Sequence, residues 1–162
     1  MIKRFLVVAF AFSSTIGAAQ ADLLTEKNIP SDLAVRMASN AVEACAADKY
    51  NVSAAVVDRA GVLRALVRAD NAGPHTVDSS RAKAFTSASL RIPTSKLAEN
   101  AANNPASAQV VNIPGFLVLG GGVPIKAGDV VIGAIGVGGA PGANLDEACA
   151  VAAIKEAAEA LK

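Results

Sequence analysis

The spacing of apolar residues changes several times in the first half of this chain, and each change predicts a different element. Between residues 31 and 48, apolar side chains recur every three or four positions, as in an amphipathic helix. Residues 51–58 form a short run rich in valine, and residues 62–68 alternate between apolar and charged, with Leu63 and Ala65 expected to point inward. A Gly-containing turn separates these two runs, so this region predicts a helix followed by a β-hairpin.

The second half of the chain continues with helices first and strands afterwards. Thr76 is a candidate cap for a helix that ends near Leu90, and a shorter helix is predicted over residues 94–103. Small side chains such as Ala84 and Ala88 would let the first of these helices pack closely, on the sheet or against another subunit. Three strand segments and a long Ala-rich helix follow, at residues 116–119, 123–126, 130–137 and 144–161.

The order of these elements predicts an α+β fold with an antiparallel sheet flanked by helices. Hairpin connections make the neighbouring strands antiparallel. Because the first and last helices enclose the strands in sequence, we expect both to pack on one face of the sheet.

The first 21 residues have the organisation of a secretory signal peptide. Lys3 and Arg4 precede an apolar run over residues 5–12, and Ala19-Gln20-Ala21 supplies an A-x-A cleavage pattern. That run is too short for a membrane anchor, which needs about 20 apolar residues. We therefore expect cleavage after Ala21, a periplasmic or secreted protein with no further membrane span, and a single domain over residues 22–162.

Charge and aromatic content argue against a nucleic-acid partner. Removal of the leader takes two of the 15 basic residues, which leaves 13 against 14 acidic residues and a formal charge of −1. The chain has no Trp and one Tyr. It therefore lacks both the basic surface and the aromatic stacking platforms that bind nucleic acids.

Cys45 and Cys149 are the two cysteines, and each falls on one of the outer helices. In an exported protein they form a candidate disulfide, provided that the helices bring their Cα atoms within about 7 Å. The alternative is that both are small buried apolar residues. A zinc site is not indicated, because two isolated cysteines and one histidine lack the paired ligand spacing.

Few residues have an obvious chemical role. The glycine-rich turn at residues 120–122 lacks the Lys-Ser/Thr of a phosphate-binding loop, and no G-x-S-x-G nucleophile motif is present. His75, the single histidine, follows a Gly-Pro turn and precedes a predicted helix. Histidine is a common haem ligand, so His75 is the strongest candidate; the alternative is a surface or capping histidine without a ligand.

Six segments, in order along the chain, resemble the HbpS/GlcG-like family, also called the haem-degrading domain family. They are Ala69–Ala72 with His75-Thr76, Lys83–Ser89, Ile113–Gly115, Gly120–Ile125, Gly133–Val137 and Asp146–Ala150. The resemblance implies a profilin-like α-β-α fold, assembly into homo-oligomers, and binding of haem or iron. Some relatives are exported, redox-responsive accessory proteins of a signalling system, and the family name implies haem degradation.

The first functional hypothesis is therefore an exported haem-binding accessory protein in which His75 is the ligand of the haem iron. Basic side chains would meet the haem propionates, since guanidinium and ammonium groups pair well with carboxylates. The candidates for this role are Arg64, Arg68, Arg81 and Lys83. Whether such a protein only holds haem or also degrades it stays open at this point.

The alternative hypothesis is a binding protein or enzyme for a small oxygenated metabolite, such as a hydroxy acid. Its pocket would be lined by the backbone of the glycine turns, including Gly121 and Gly122, near Asp70 and Asp146. Asp70, Gly121 and Gly122 are thus candidate binding residues in addition to the histidine and the arginines.

Overall fold

The computed structural model describes residues 22–162, and the predicted signal peptide lies outside the described residues. The described part of the chain has the predicted α+β fold, with four α-helices and four β-strands. These are α1 (Ser31–Ala47), β1 (Ser53–Asp58), β2 (Leu63–Arg68), α2 (His75–Leu90), α3 (Thr94–Asn103), β3 (Gly122–Ala127), β4 (Val130–Gly138) and α4 (Ala143–Glu156). Two 3₁₀ helices, at Ala108–Asn112 and Ala158–Leu161, complete the fold. Within this region no helix is both long enough and apolar enough to cross a bilayer.

The four strands form one antiparallel sheet in the order β2-β1-β4-β3. β1 and β4 are central, and nearly all of their residues are buried. Ser53 at the start of β1 pairs with Arg68 at the end of β2 and with Gly138 at the end of β4. This end of the sheet therefore holds the turn that leads into α2 and the loop that leads into α4.

One face of the sheet is covered by α1 and α4, as the sequence predicts. Met37 and Ala41 of α1 are fully buried against the strands, together with Ala150 of α4. Cys45 and Cys149 form a disulfide between these two helices, with 5.5 Å between their Cα atoms. Since 104 residues separate the two cysteines in sequence, this bond links the beginning of the fold to its end.

The opposite face is covered by α2, which packs on β4 with its backbone. A Cβ atom at Gly136 would overlap the carbonyl oxygen of Ser80, so only glycine permits this approach. The buried side of α2 is unusually polar. Two of its hydroxyls bond to carbonyls of the same helix: Ser80 Oγ donates to Val77 O at 2.9 Å, and Thr86 Oγ1 donates to Ala82 O at 2.8 Å. Every buried side-chain N or O atom of residues 22–162 has a hydrogen-bond partner.

Two local predictions are wrong. Leu63 is 42% exposed and lies on the α2 side of the sheet, because the register of β1 and β2 shifts between Val56 and Val57. Residues 116–119 form a loop instead of a strand. The amide of Leu117 donates to Thr86 Oγ1 at 2.8 Å, so this loop is tied to α2 and not to a neighbouring strand.

The predicted helix ends also differ in two places. Thr76 does not cap α2, which begins one residue earlier at His75, and its side chain is buried inside the fold. α4 ends at Glu156, and the remaining residues up to Leu161 form a 3₁₀ turn.

Candidate functional site

The N-terminus of α2 is fixed on the sheet by two buried hydroxyl groups. Thr76 Oγ1 donates to Gly73 O at 2.6 Å, and it lies 2.7 Å from Ser53 Oγ on β1. Because the proton of Thr76 is used by the carbonyl, Ser53 is the donor in the second bond. The chain is thereby held in place on either side of His75.

His75 is the first residue of α2 and is exposed. Its ring folds back over Gly73, where a Cβ atom would lie 2.7 Å from His75 Cε1 and 2.9 Å from Nδ1. Glycine at this position thus leaves the space that the imidazole occupies. The ring is positioned by the turn in front of the helix, and it faces solvent instead of an enclosed pocket.

Two of the predicted arginines lie on the strand that precedes this turn. Arg68, at the end of β2, donates to Ala72 O and so comes close to the start of α2. Arg64 and Asp70 are exposed near the same edge of the sheet. The structure therefore brings Arg68 next to the turn that carries His75.

A cavity of about 510 Å³, here called the Phe85 cavity, lies further along α2. Its floor is formed by α2, including Asp78, Arg81 and Phe85, and its walls by Leu63 and Pro114. The ring of Phe85 is half-buried and meets the ring of Phe116 edge to face, with 6.0 Å between centroids.

Two glycines in left-handed conformations shape this cavity. Gly61 has a φ of +80° and Gly115 a φ of +83°, and both lie against the ring of Phe85. A Cβ atom at Gly61 would lie 2.7 Å from the Phe85 ring. The two turns can hold the ring between them because neither carries a side chain.

Lys83 and Asp146 form a buried ion pair between α2 and α4. Lys83 Nζ lies 2.7 Å from Asp146 Oδ2 and also donates to Val137 O at 3.0 Å. Asp146 Oδ1 accepts a bond from the amide of Ala140 at 2.9 Å. Lys83 is 1% exposed and Asp146 3%. The expectation that Lys83 could meet a haem propionate is therefore wrong, because its ammonium group is enclosed and already paired.

Gly121 and Gly122 border this ion pair. Gly121 has a φ of +117°, and a Cβ atom there would lie 2.6 Å from Val137 O and 3.0 Å from Lys83 Nζ. The amide of Gly122 donates to Thr94 Oγ1 at 2.8 Å. The protein's own atoms thus fill the space beside both glycines. Close packing is therefore sufficient to account for glycine at these two positions.

The residues of the alternative metabolite pocket are not brought together. Asp70 follows β2 at one edge of the sheet, whereas Gly121 precedes β3 at the other edge. Three strand spacings separate these edges, about 14 Å. Asp146 is buried against Lys83, so it does not face an open pocket either.

A second cavity, of about 520 Å³, lies between α3 and α4 and is lined mainly by apolar residues such as Leu119 and Val151. Glu147 at its edge accepts a bond from Ser95 Oγ at 2.8 Å.

The sequence patterns predict neither this cavity nor the ion pair of Lys83 and Asp146. Lys83 and Asp146 are 63 positions apart, and neither belongs to a local motif.

Comparison with solved structures gives matches over most of the chain. A double mutant of HbpS from Streptomyces reticuli is 39% identical, with a TM-score of 0.79 over 89% of this chain and 97% of that chain. Protein ORFY from Klebsiella pneumoniae is 26% identical, with a TM-score of 0.75 over 85% of this chain and 96% of that chain. A PduOC–haem complex shares the fold at 20% identity, with a TM-score of 0.70 over 79% of this chain and 94% of that chain.

Comparison with curated protein sequences gives no match. The family model described as haem degrading protein HbpS-like matches residues 29–155, which is most of the chain. The matched residues include all four strands and, apart from the last residue of α4, all four α-helices. This chain therefore belongs to the HbpS-like family of haem-degrading proteins.

Proposed function

We propose that this protein is an exported haem-binding protein in which His75 is an axial ligand of the iron. The observation that carries the proposal is the accessibility of the chain's single imidazole, at the start of α2, in a member of a haem-related family. Two further matches support it, because HbpS is a close relative and a PduOC structure of the same fold contains haem.

The residues around His75 fit the requirements of haem. Iron needs a nitrogen ligand with an open approach, and the exposed ring provides one. The propionates need cationic partners, and the two elements that flank the turn before His75 each carry an exposed arginine, Arg68 on β2 and Arg81 on α2. Bound haem would supply iron redox chemistry, while the chain's own residues bind and orient it.

An exposed ligand also bears on assembly. His75 lies at the surface, so a planar cofactor bound there would have one face against this chain and the other in solvent. Haem sites are usually enclosed by apolar surface. We therefore include a homo-oligomer in the proposal, in which a second copy covers the outer face.

Hemin titration of purified residues 22–162 tests the axial ligand. We expect a Soret band that shifts on binding, and its loss in His75→Ala with partial recovery when free imidazole is added. Asn71→Ala is the matched control, because Asn71 is exposed in the same turn and is not assigned a role. Binding by His75→Ala with an unchanged spectrum would overturn the assignment.

Export and assembly have separate tests. After expression of the full chain in a bacterial host, mass spectrometry of the periplasmic fraction should find a protein that begins at Asp22. Light scattering coupled to size exclusion should give a multiple of the monomer mass. A protein retained in the cytoplasm, or a monomer with and without hemin, would contradict the corresponding part of the proposal.

A further inference from the structure

We infer that the Phe85 cavity holds the carboxylate-bearing edge of the bound porphyrin and that Arg81 is the partner of its propionates. This inference rests on the proposed function, because it takes His75 as the position of the iron. It adds a second contact region, formed by residues further along α2, by the β1–β2 turn and by the loop after α3.

The position of the cavity along α2 is the first argument. Asp78 and Ala82, which both line it, follow His75 by three and seven residues and so lie on the same face of the helix. Seven residues correspond to a rise of about 10 Å. This is comparable with the distance from the centre of a porphyrin to its carboxylates, so one flat molecule can reach both places.

The construction of the cavity is the second argument. Its walls come from the β1–β2 turn and from the loop after α3, which is held on α2 by the bond from Leu117 N to Thr86 Oγ1. At about 510 Å³ it lies within the range of small-molecule sites. Leu63, Phe85 and Pro114 present apolar surface suited to the edge of an aromatic macrocycle.

Charge gives the orientation. Arg81 is exposed, lines the cavity, and takes part in none of the ion pairs of residues 22–162. Asp78 lies one turn closer to His75 and would repel a carboxylate. The propionates are therefore directed towards Arg81, at the end of the cavity away from the iron ligand.

The test compares hemin with its dimethyl ester, whose carboxylates are blocked. We expect Arg81→Gln to weaken hemin binding about fivefold, the effect of an exposed charge pair, and to leave binding of the ester unchanged. Arg91→Gln is the matched control, because Arg91 is an exposed arginine at the far end of α2. Ala82→Phe, which fills the cavity, should weaken both ligands at least tenfold.

The outcomes separate this inference from the proposed function. If Arg81→Gln has no effect on hemin, or the same effect on hemin and on the ester, the inference is wrong even where His75→Ala abolishes the Soret shift. If Arg81→Gln discriminates between the ligands while His75→Ala binds normally, the cavity assignment stands and the axial role fails. Circular dichroism of each variant establishes that it is folded.

Discussion

The buried pair of Lys83 and Asp146 makes the sharpest prediction about stability. Asp146→Asn removes the negative charge and keeps a side chain of the same shape, which leaves the ammonium of Lys83 uncompensated at 1% exposure. Removal of one partner from a buried ion pair typically costs about 3–5 kcal/mol. That is a large part of the total of about 5–15 kcal/mol that stabilises most domains. For a chain of this size it corresponds to a fall in Tm of about 10 °C or more.

Urea unfolding followed by circular dichroism, with the disulfide oxidised, measures this loss. The matched control is Glu99→Gln, which breaks the exposed pair of Lys96 and Glu99 and should cost less than about 1 kcal/mol. The double variant Lys83→Met with Asp146→Asn should lose less than the sum of its single variants, because no unpaired charge stays buried. A cost for Asp146→Asn as small as that of the control, or strict additivity in the double variant, would refute the reasoning.

Three further predictions concern positions fixed by close contacts. Replacing both Cys45 and Cys149 with alanine should lower the free energy of unfolding by about 4–5 kcal/mol, since the bond closes a loop of about 100 residues. Added reductant should lower the free energy of unfolding of the wild type to the same value and leave that of the variant unchanged. Gly136→Ala should cost several kcal/mol in urea unfolding, because the added Cβ meets the α2 backbone. The control Gly128→Asn should cost under about 1 kcal/mol, because no atom lies within 4 Å of the added Cβ and Asn tolerates the left-handed conformation. Gly73→Ala should displace the imidazole at low cost in Tm and alter the hemin spectrum; a wild-type spectrum would show that the ring orientation is irrelevant to binding.

Much of the architecture follows from local patterns. The helix over Ser31–Ala47 and the shorter one over Thr94–Asn103 lie where the spacing of apolar residues and the prolines place them. The central strand β4 is predicted to within one residue, Val130–Gly138 against 130–137. These elements are stabilised by residues that are close in sequence, so their positions can be predicted from one sequence.

The geometry of the candidate site is harder to predict from the sequence than the order of the helices and strands. His75 stands out by residue type and by its place in the family motif, but its exposure depends on how the turn folds over Gly73. The apolar run Phe116–Leu119 has the composition of a strand, and yet its backbone bonds to Thr86 on a helix. Tertiary contacts override propensity there.

The sequence by itself determined the order of helices and strands, the family, and the choice of His75 as the candidate ligand. Each of these follows from residue types and from spacings of a few residues. Only the tertiary structure decided that the polar face of α2 is buried, that Lys83 is enclosed by Asp146 instead of facing a ligand, and that a cavity forms around Phe85. The physical reason is that these features join positions far apart in the chain. Their partners meet only when α2 lies on the glycines of β4, and no local pattern specifies that contact.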